Sequence, residues 1–251
     1  MSKFRQSVDA GTLVRFWSLN HHGPEEILWA ASPWPKIVFA VEGVLQVQTA
    51  HRVHLIPPNR ALFVPTGEEH PARTLGKAQV RTIYFAPHLQ VAREQNVLEI
   101  RPLFRELITE ACRIGPLTDE RSRDIALTSL LIQEVRSAPE VPTSVPMPHS
   151  DWLKEWALGF LGDPLIPNPT GYSNRTTERR ILFETSLTLG QWRRQARVLV
   201  GLRELSRGST VLEAAIAAGF DTSSGFIQSF RKHFGDTPAR MARLLRSHPN
   251  S

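Results

Sequence analysis

From Thr12 to about Pro87, apolar and polar residues alternate in short runs: Lys36–Val41, Val44–Thr49, Arg52–Ile56, Ala61–Val64 and Gln79–Phe85. Glu42-Gly43, Pro57-Pro58-Asn59-Arg60 and Pro65-Thr66-Gly67 interrupt them. Period-two alternation predicts strands, and the Gly, Pro and Asn clusters predict the turns between them. Many short strands of this kind predict a small β-barrel or jelly roll. The period changes after Leu89. Leu103, Phe104, Leu107, Ile108 and Ala111 predict one amphipathic helix, and Ile125, Leu127, Leu130, Leu131 and Val135 a second, after a break at Gly115-Pro116 and a start signal at Asp119. Ser137–Ser150 (SAPEVPTSVPMPHS) has four prolines and little to bury, so it reads as an extended, semi-rigid linker. Asp151–Leu161 then predicts a helix with Trp152, Trp156 and Phe160 on one face. The fold class expected is α+β, with a β-barrel and helical pair over residues 1–138, a linker over 139–150 and an all-α domain over 151–251.

The sharpest pattern lies near the C-terminus. Val211, Leu212, Ala215 and Ile216, then Phe226, Ile227, Phe230 and Phe234, recur at helical spacing on either side of Gly219. That spacing predicts helix, tight turn, helix. Glycine takes positive φ without steric cost, so Gly219 is where the first helix stops. Asp221, Thr222 and Ser223 offer side-chain oxygens to the amides that open the next helix. Phe226, Phe230 and Phe234 form one apolar stripe, while Ser223, Ser224, Gln228, Arg231 and Lys232 lie off it. A helix with such a face fits the major groove of duplex DNA, with its N-terminal residues at base edges and its basic end near phosphates. Upstream, GQWRRQARVLVGLREL supplies Trp192, Ala196, Leu199 and Leu202 as core contacts of a long helix, with Arg193, Arg194 and Arg197 on its other faces.

Charge supports the same end of the chain. Of 251 residues with formal net charge +6, residues 171–251 hold 13 Arg and Lys against 6 Asp and Glu, whereas the remainder nets −1. A positive field confined to the C-terminal third is the footprint of a polyanion partner. Cys112 is the single cysteine, which excludes an internal disulfide framework and fits a reducing compartment; its neighbours Leu107, Ile108, Ala111 and Ile114 predict a buried helical thiol. No apolar run approaches the ~20 residues needed to span a bilayer, and MSKFRQSVDAG lacks a hydrophobic signal core, so a cytoplasmic location and no membrane partner are expected.

The residues Ala215, Gly219, Phe220, Ser224, Phe226, Phe230, Arg231, Lys232, Phe234, Gly235, Thr237 and Pro238 form the pattern AxxxGFxxxSxFxxxFRKxFGxTP. This resembles the second helix-turn-helix of the AraC/XylS family of bacterial transcription regulators. FAVEGVLQVQT, IPPNRALFVPTGEEHPAR and RTIYFAP are similar to the cupin-like sensor half of one branch of that family, with Pro65-Thr66-Gly67-Glu68-Glu69-His70 matching PxGxxH of the second cupin motif. The resemblance implies a dimeric, effector-responsive regulator that binds double-stranded promoter DNA without a cofactor, with RNA polymerase as a further candidate partner. On that reading, specificity is expected chiefly from Thr222, Ser223, Ser224 and Gln228, whose short or amide side chains stand near the start of the last recognition helix, and phosphate contacts from Arg231, Lys232, Arg193, Arg194 and Arg197. The family pattern carries two such units, and here the first is degenerate. Its recognition segment survives as Gly171–Arg179, offering Arg175, Thr176 and Arg179, but Asp163–Pro169 holds three prolines where a helix should precede it. Thr177 stands where the family has leucine, and Ser186 where it has glycine.

A cupin invites a metalloenzyme reading. Metal cupins carry a His-x-His and a carboxylate before the Glu-Gly turn, and that neighbourhood here reads Ala30-Ala31-Ser32-Pro33-Trp34. His70 alone cannot build a three-ligand site, and His21-His22, His51 and His54 match no closed constellation, so no metal is expected. The barrel interior, with Ile37 and Phe39 from one strand, Tyr84 from another and His70, is a candidate effector pocket, although core packing accounts for the same residues. Two alternatives stay open: a cupin-type enzyme with a DNA-binding tail, and a regulator-like protein that has lost specific DNA binding.

Overall fold

The computed structural model describes residues 11–246 apart from 30, 68, 92, 93, 95 and 142; Ala30, Glu68, Pro142 and the N-terminal ten residues named above therefore lie outside it. The N-terminal half is built from β1 (Thr12–His21), β2 (Glu26–Trp29), β3 (Lys36–Glu42), β4 (Leu45–Gln48), β5 (Arg52–Ile56), β6 (Arg60–Val64), β7 (His70–Thr74), β8 (Ala78–Phe85), β9 (Asn96–Glu99), α1 (Pro102–Ile114), β10 (Leu117–Thr118) and α2 (Ser122–Ser137). β11 (Ser144–Pro146) follows, then α3 (Asp151–Gly162), α4 (Asn174–Thr185), α5 (Leu189–Ser206), α6 (Val211–Ala217), α7 (Ser223–Phe234) and α8 (Pro238–Arg246).

The strands form two antiparallel sheets, β10-β1-β8-β3-β6-β9 and β11-β5-β4-β7-β2. Between them lies an apolar interior containing Val38, Leu45, Val47, Ile56, Leu62, Val64, Ala72 and Val80. The outer face of the six-stranded sheet is covered by α1 and α2, through Phe104, Ile108, Leu127, Leu131 and Val135. The outer face of the five-stranded sheet, through Val53, Leu55 and Val145, shares one core with the C-terminal helices. The layers therefore run helix pair, sheet, sheet, helical domain.

Two expectations change. The proline-rich stretch is extended but not free: Ser144–Pro146 pairs with Arg52–His54 as an edge strand, and Val145 and Met147 are buried. Pro146 lacks an amide hydrogen, which an outermost strand tolerates. Ile37 and Phe39 do not face the barrel interior. They pair with Phe63 and Ala61 on the face packed under α1 and α2, and it is Val38 that points inward. All of Lys36–Ala40 is buried, because β3 is covered on both faces, so alternation could not reveal the parity.

Candidate nucleic-acid interface

The helix-turn-helix at the C-terminus is closed by local bonds. Thr210 and Glu213 form a capping box that starts α6: Thr210 Oγ1 accepts from Glu213 N at 3.3 Å and Glu213 Oε2 accepts from Thr210 N at 2.7 Å. At the turn Gly219 has φ +74°, and the Phe220 amide donates to Ala215 O at 3.0 Å. Of the three residues expected to open α7, Thr222 is the cap, its hydroxyl accepting from Gly225 N at 3.1 Å. Phe226, Phe230 and Phe234 are buried in sequential ring contact at 5.5 and 4.6 Å. Phe226 lies directly on Gly201 of α5, where an added Cβ would sit 2.3 Å from its ring. On α6 the packing differs from expectation: Ala214, Ala215 and Ala218 are buried, while Leu212 and Ile216 are 58% and 63% exposed. Small residues let α6 approach α5, leaving the larger ones outside.

This stripe leaves a polar edge on α7. Thr222, Ser224, Gln228, Arg231 and Lys232 are exposed and Ser223 half-buried. The α5 arginines line the same side. Arg193, Arg194, Arg197, Thr222 and Gln228 border one cleft of about 430 Å³ between the N-terminal parts of α5 and α7. A neighbouring cleft of about 680 Å³ adds Gln195, Lys232 and His233. The arginines are not equivalent. Arg194 is exposed. Arg193 donates to Asn168 Oδ1 at 2.8 Å and lies over the Trp156 and Phe160 rings, and burial, reinforced by the charge of Arg197, holds its guanidinium below the ordinary value. Arg197 packs against the Gly219 turn.

The first unit has lost a helix, as its prolines require. No helical residue lies between Gly162 and Asn174, yet α4 forms, capped by Ser173, whose hydroxyl accepts from Thr176 N at 3.1 Å. The loop takes over the bracing. Pro167 O accepts from Trp156 Nε1 at 2.8 Å, and Asn168 donates to Asn174 Oδ1 at 2.6 Å while accepting from Arg193. Glu184 adds a second anchor, accepting from the His149 and Ser150 amides at 2.6 and 3.0 Å. Arg175 and Arg179 are exposed, Thr176 is half-buried, and Thr177 is fully buried with its hydroxyl bonded to Ser173 O. Ser186 ends α4 at φ +60°, the left-handed conformation that glycine adopts without strain. Asn168, between two prolines, was not singled out by sequence: its partners are 6 and 25 residues away.

In the barrel, His70 is buried on the inward face of β7 and Tyr84 is half-buried on the inward face of β8. Tyr84 has an unforeseen companion. Lys36 is 1% exposed, its ammonium 5.6 Å from the Tyr84 ring centre, and burial pushes it down to about 8. A charge heading the apolar run Ile37–Val41 was the available signal. His54, also buried, is held down to about 3 by desolvation, with Arg52 and His70 adding to it. Among the described residues, no three His, Cys, Asp or Glu side chains gather as a metal-ligand set. No helix among them is long and apolar enough to cross a membrane.

A helix-turn-helix domain family matches residues 168–243. The HTH-type transcriptional regulator NimR of Escherichia coli (strain K12) is 29% identical over 253 aligned residues, covering 92% of this chain and 89% of NimR. Among solved structures, ToxT from Vibrio cholerae with bound unsaturated fatty acid is 10% identical over 98% of this chain and 100% of its own, with TM-score 0.38. The AraC-like transcriptional activator CuxR is 13% identical over 93% of this chain and 82% of its own, also with TM-score 0.38.

Proposed function

We propose that the chain is an AraC-type helix-turn-helix transcription regulator that reads promoter DNA chiefly through α7, acting in the cytoplasm. Residues 151–251 are the DNA-binding part, 1–138 the sensor part and 139–150 their connection. The observation that carries this reading is the exposed edge Thr222–Lys232 backed by three buried phenylalanines. Short side chains at Thr222, Ser223 and Ser224 permit close approach to the groove, and Gln228 has the donor and acceptor pair that matches adenine. Among the described residues the Arg231, Lys232 and Arg194 side chains have no internal partner, which leaves them to meet phosphate. Arg193 and Arg197 join them on leaving their internal partners, and Arg175, Thr176 and Arg179 add affinity that is insensitive to sequence.

The sensor part responds to a small molecule held near His70 and Tyr84, and the buried cation of Lys36 favours one that carries negative charge. Leu103 on α1 and Ile125 and Leu130 on α2 remain exposed on the outer helical layer and supply the face for a second copy. RNA polymerase is the partner expected of a regulator seated at a promoter.

Anisotropy titrations at several salt concentrations test the DNA reading. Arg194→Ala should weaken binding to all duplexes and lower the salt slope by about one, whereas Gln228→Ala should relax preference at one base pair. Equal loss on every duplex for Gln228→Ala would refute its role.

A further inference from the structure

The recognition helix has two ends in different surroundings. Its first turn presents Thr222 and Ser224 to solvent beside the α5 arginines, whereas its last two residues are buried: His233 is 9% and Phe234 1% exposed. A helix leaves its last carbonyls without intrahelical partners. That of Phe234 accepts from Arg60 Nη2 at 2.9 Å. Arg60 is not part of the DNA-binding half. It is the first residue of β6, 174 positions earlier in the chain, and it is 3% exposed. Its other amino group donates to Asn59 O at 3.0 Å and Glu99 Oε1 at 3.4 Å, which fixes the plane of the fork. Glu99 and Asp236 partly offset the desolvation of this buried cation. A buried guanidinium at a helix C-terminus complements the partial negative charge there, in an orientation that a flexible ammonium would not fix.

We propose that Arg60 is a positioning residue for DNA recognition: beyond the shared apolar core, this fork fixes the tilt of α7, so sequence preference depends on a strand that never meets DNA. The inference rests on the reading of α7 as the DNA-reading helix. The leverage is geometric. Twelve residues at about 1.5 Å rise span roughly 18 Å, so a tilt of about 10° about the Phe234 end displaces the Thr222 end by about 3 Å, a hydrogen-bond length. The same strand also reaches the barrel interior. Leu62 and Val64 belong to the apolar cluster between the sheets, and Val64 pairs with Lys36. Packed strands move as units rather than deforming continuously. An occupant pressing on Val64 therefore shifts Arg60, and with it the far end of α7.

The test uses the full-length chain with Arg60→Met, which keeps the stem and removes the donors, and Arg60→Lys, which keeps the charge and loses the fork. Two quantities are read: the ratio of affinity for a selected duplex to that for a shuffled duplex, and amide exchange over residues 230–237 without DNA. Arg60→Met should reduce the ratio at least five-fold by weakening the selected duplex alone, speed exchange in that segment and leave shuffled-duplex affinity within two-fold. Arg60→Lys should recover part of the ratio. A purely structural role would lower the unfolding midpoint and leave the ratio unchanged, and an unchanged ratio overturns the proposal. If the wild-type chain shows no preference for any duplex, the DNA reading itself fails, and exchange alone then decides whether Arg60 holds α7: unaltered protection in Arg60→Met refutes it. Should Arg60→Met not fold, the same two readouts on Arg60→Lys decide in its place, a wild-type ratio with wild-type exchange overturning the proposal.

Discussion

Replacing Lys36 by methionine should stabilise the protein, and the gain should disappear as pH rises. The side chain is 1% exposed, opposite Val64 and Tyr84 in the register of β3, and desolvation alone lowers its pKa from 10.5 to about 8. A basic group depressed in the folded state binds fewer protons there than in the unfolded chain. The resulting penalty is complete below the folded pKa and absent above the unfolded one. For these two values linkage gives about 3 kcal/mol of destabilisation at pH 7, about 2 at pH 9 and under about 1 at pH 10. The interaction with the Tyr84 ring, desolvated but with the ammonium 5.6 Å from the ring centre, returns about 1 kcal/mol, and methionine fills a similar volume, so Lys36→Met should gain roughly 2 kcal/mol at pH 7. Urea denaturation of both proteins at pH 7, 9 and 10 measures this. Taking the difference between the two curves cancels the titration of every other group. A difference that stays constant across that range, or a variant less stable than wild type at pH 7, would refute the account of a desolvated ammonium inside the barrel.

Three further outcomes follow from particular contacts. Gly201→Ala puts a methyl 2.3 Å from the Phe226 ring, so it should cost about 1–3 kcal/mol in thermal unfolding and weaken binding to a selected duplex more than to a shuffled one. Ser186→Gly relieves a residue at φ +60°, and should raise the unfolding midpoint by roughly 2 °C after the entropy of the added glycine is deducted. Desolvation, with Arg52 adding to it, lowers the buried His233 to about 4, and His54 falls to about 3. Between the ordinary value and these the unfolded chain binds the protons that the folded chain refuses, so stability falls on acidification. Going from pH 7 to pH 5 should remove about 2 kcal/mol for each histidine, and His54→Phe should roughly halve that loss in paired denaturation curves.

How far the fold was legible depended on whether a residue's environment is set by its neighbours in sequence. The runs Lys36–Val41, Arg52–Ile56 and Gln79–Phe85 appear as strands within a residue or so of their expected ends, and in the α6–Gly219–α7 unit the turn, the Thr222 cap and the phenylalanine stripe were readable because they lie close in sequence, whereas the buried side of α6 was not. Sidedness was not readable where an element is covered on both faces. In β3, residues 36–40 are all buried, so Ile37 and Phe39 could not be told from Val38. Nor does proline distinguish a free extended segment from an edge strand, since both accept its fixed φ and missing donor, and Ser144–Pro146 proved to be the second.

The missing helix of the first unit shows the same division within the site. Three prolines declared the loss, because proline acts on its own backbone and on that just before it. The replacement was invisible, because it consists of Asn168 meeting Asn174 and Arg193, and of Glu184 meeting the 149–150 backbone, contacts that exist only once α3, α4 and α5 have assembled. The consequence for DNA binding is specific. Asn168 engages Arg193, one of the cations proposed to meet phosphate, so on that proposal the repair that keeps α4 in place would hold back a positive charge until DNA competes for it. The two units are thus unequal for a physical reason. Among the described residues, the Gln228, Arg231 and Lys232 side chains of α7 have no internal hydrogen-bond partner, while α4 is held by a network that draws on Arg193, a residue of the proposed interface.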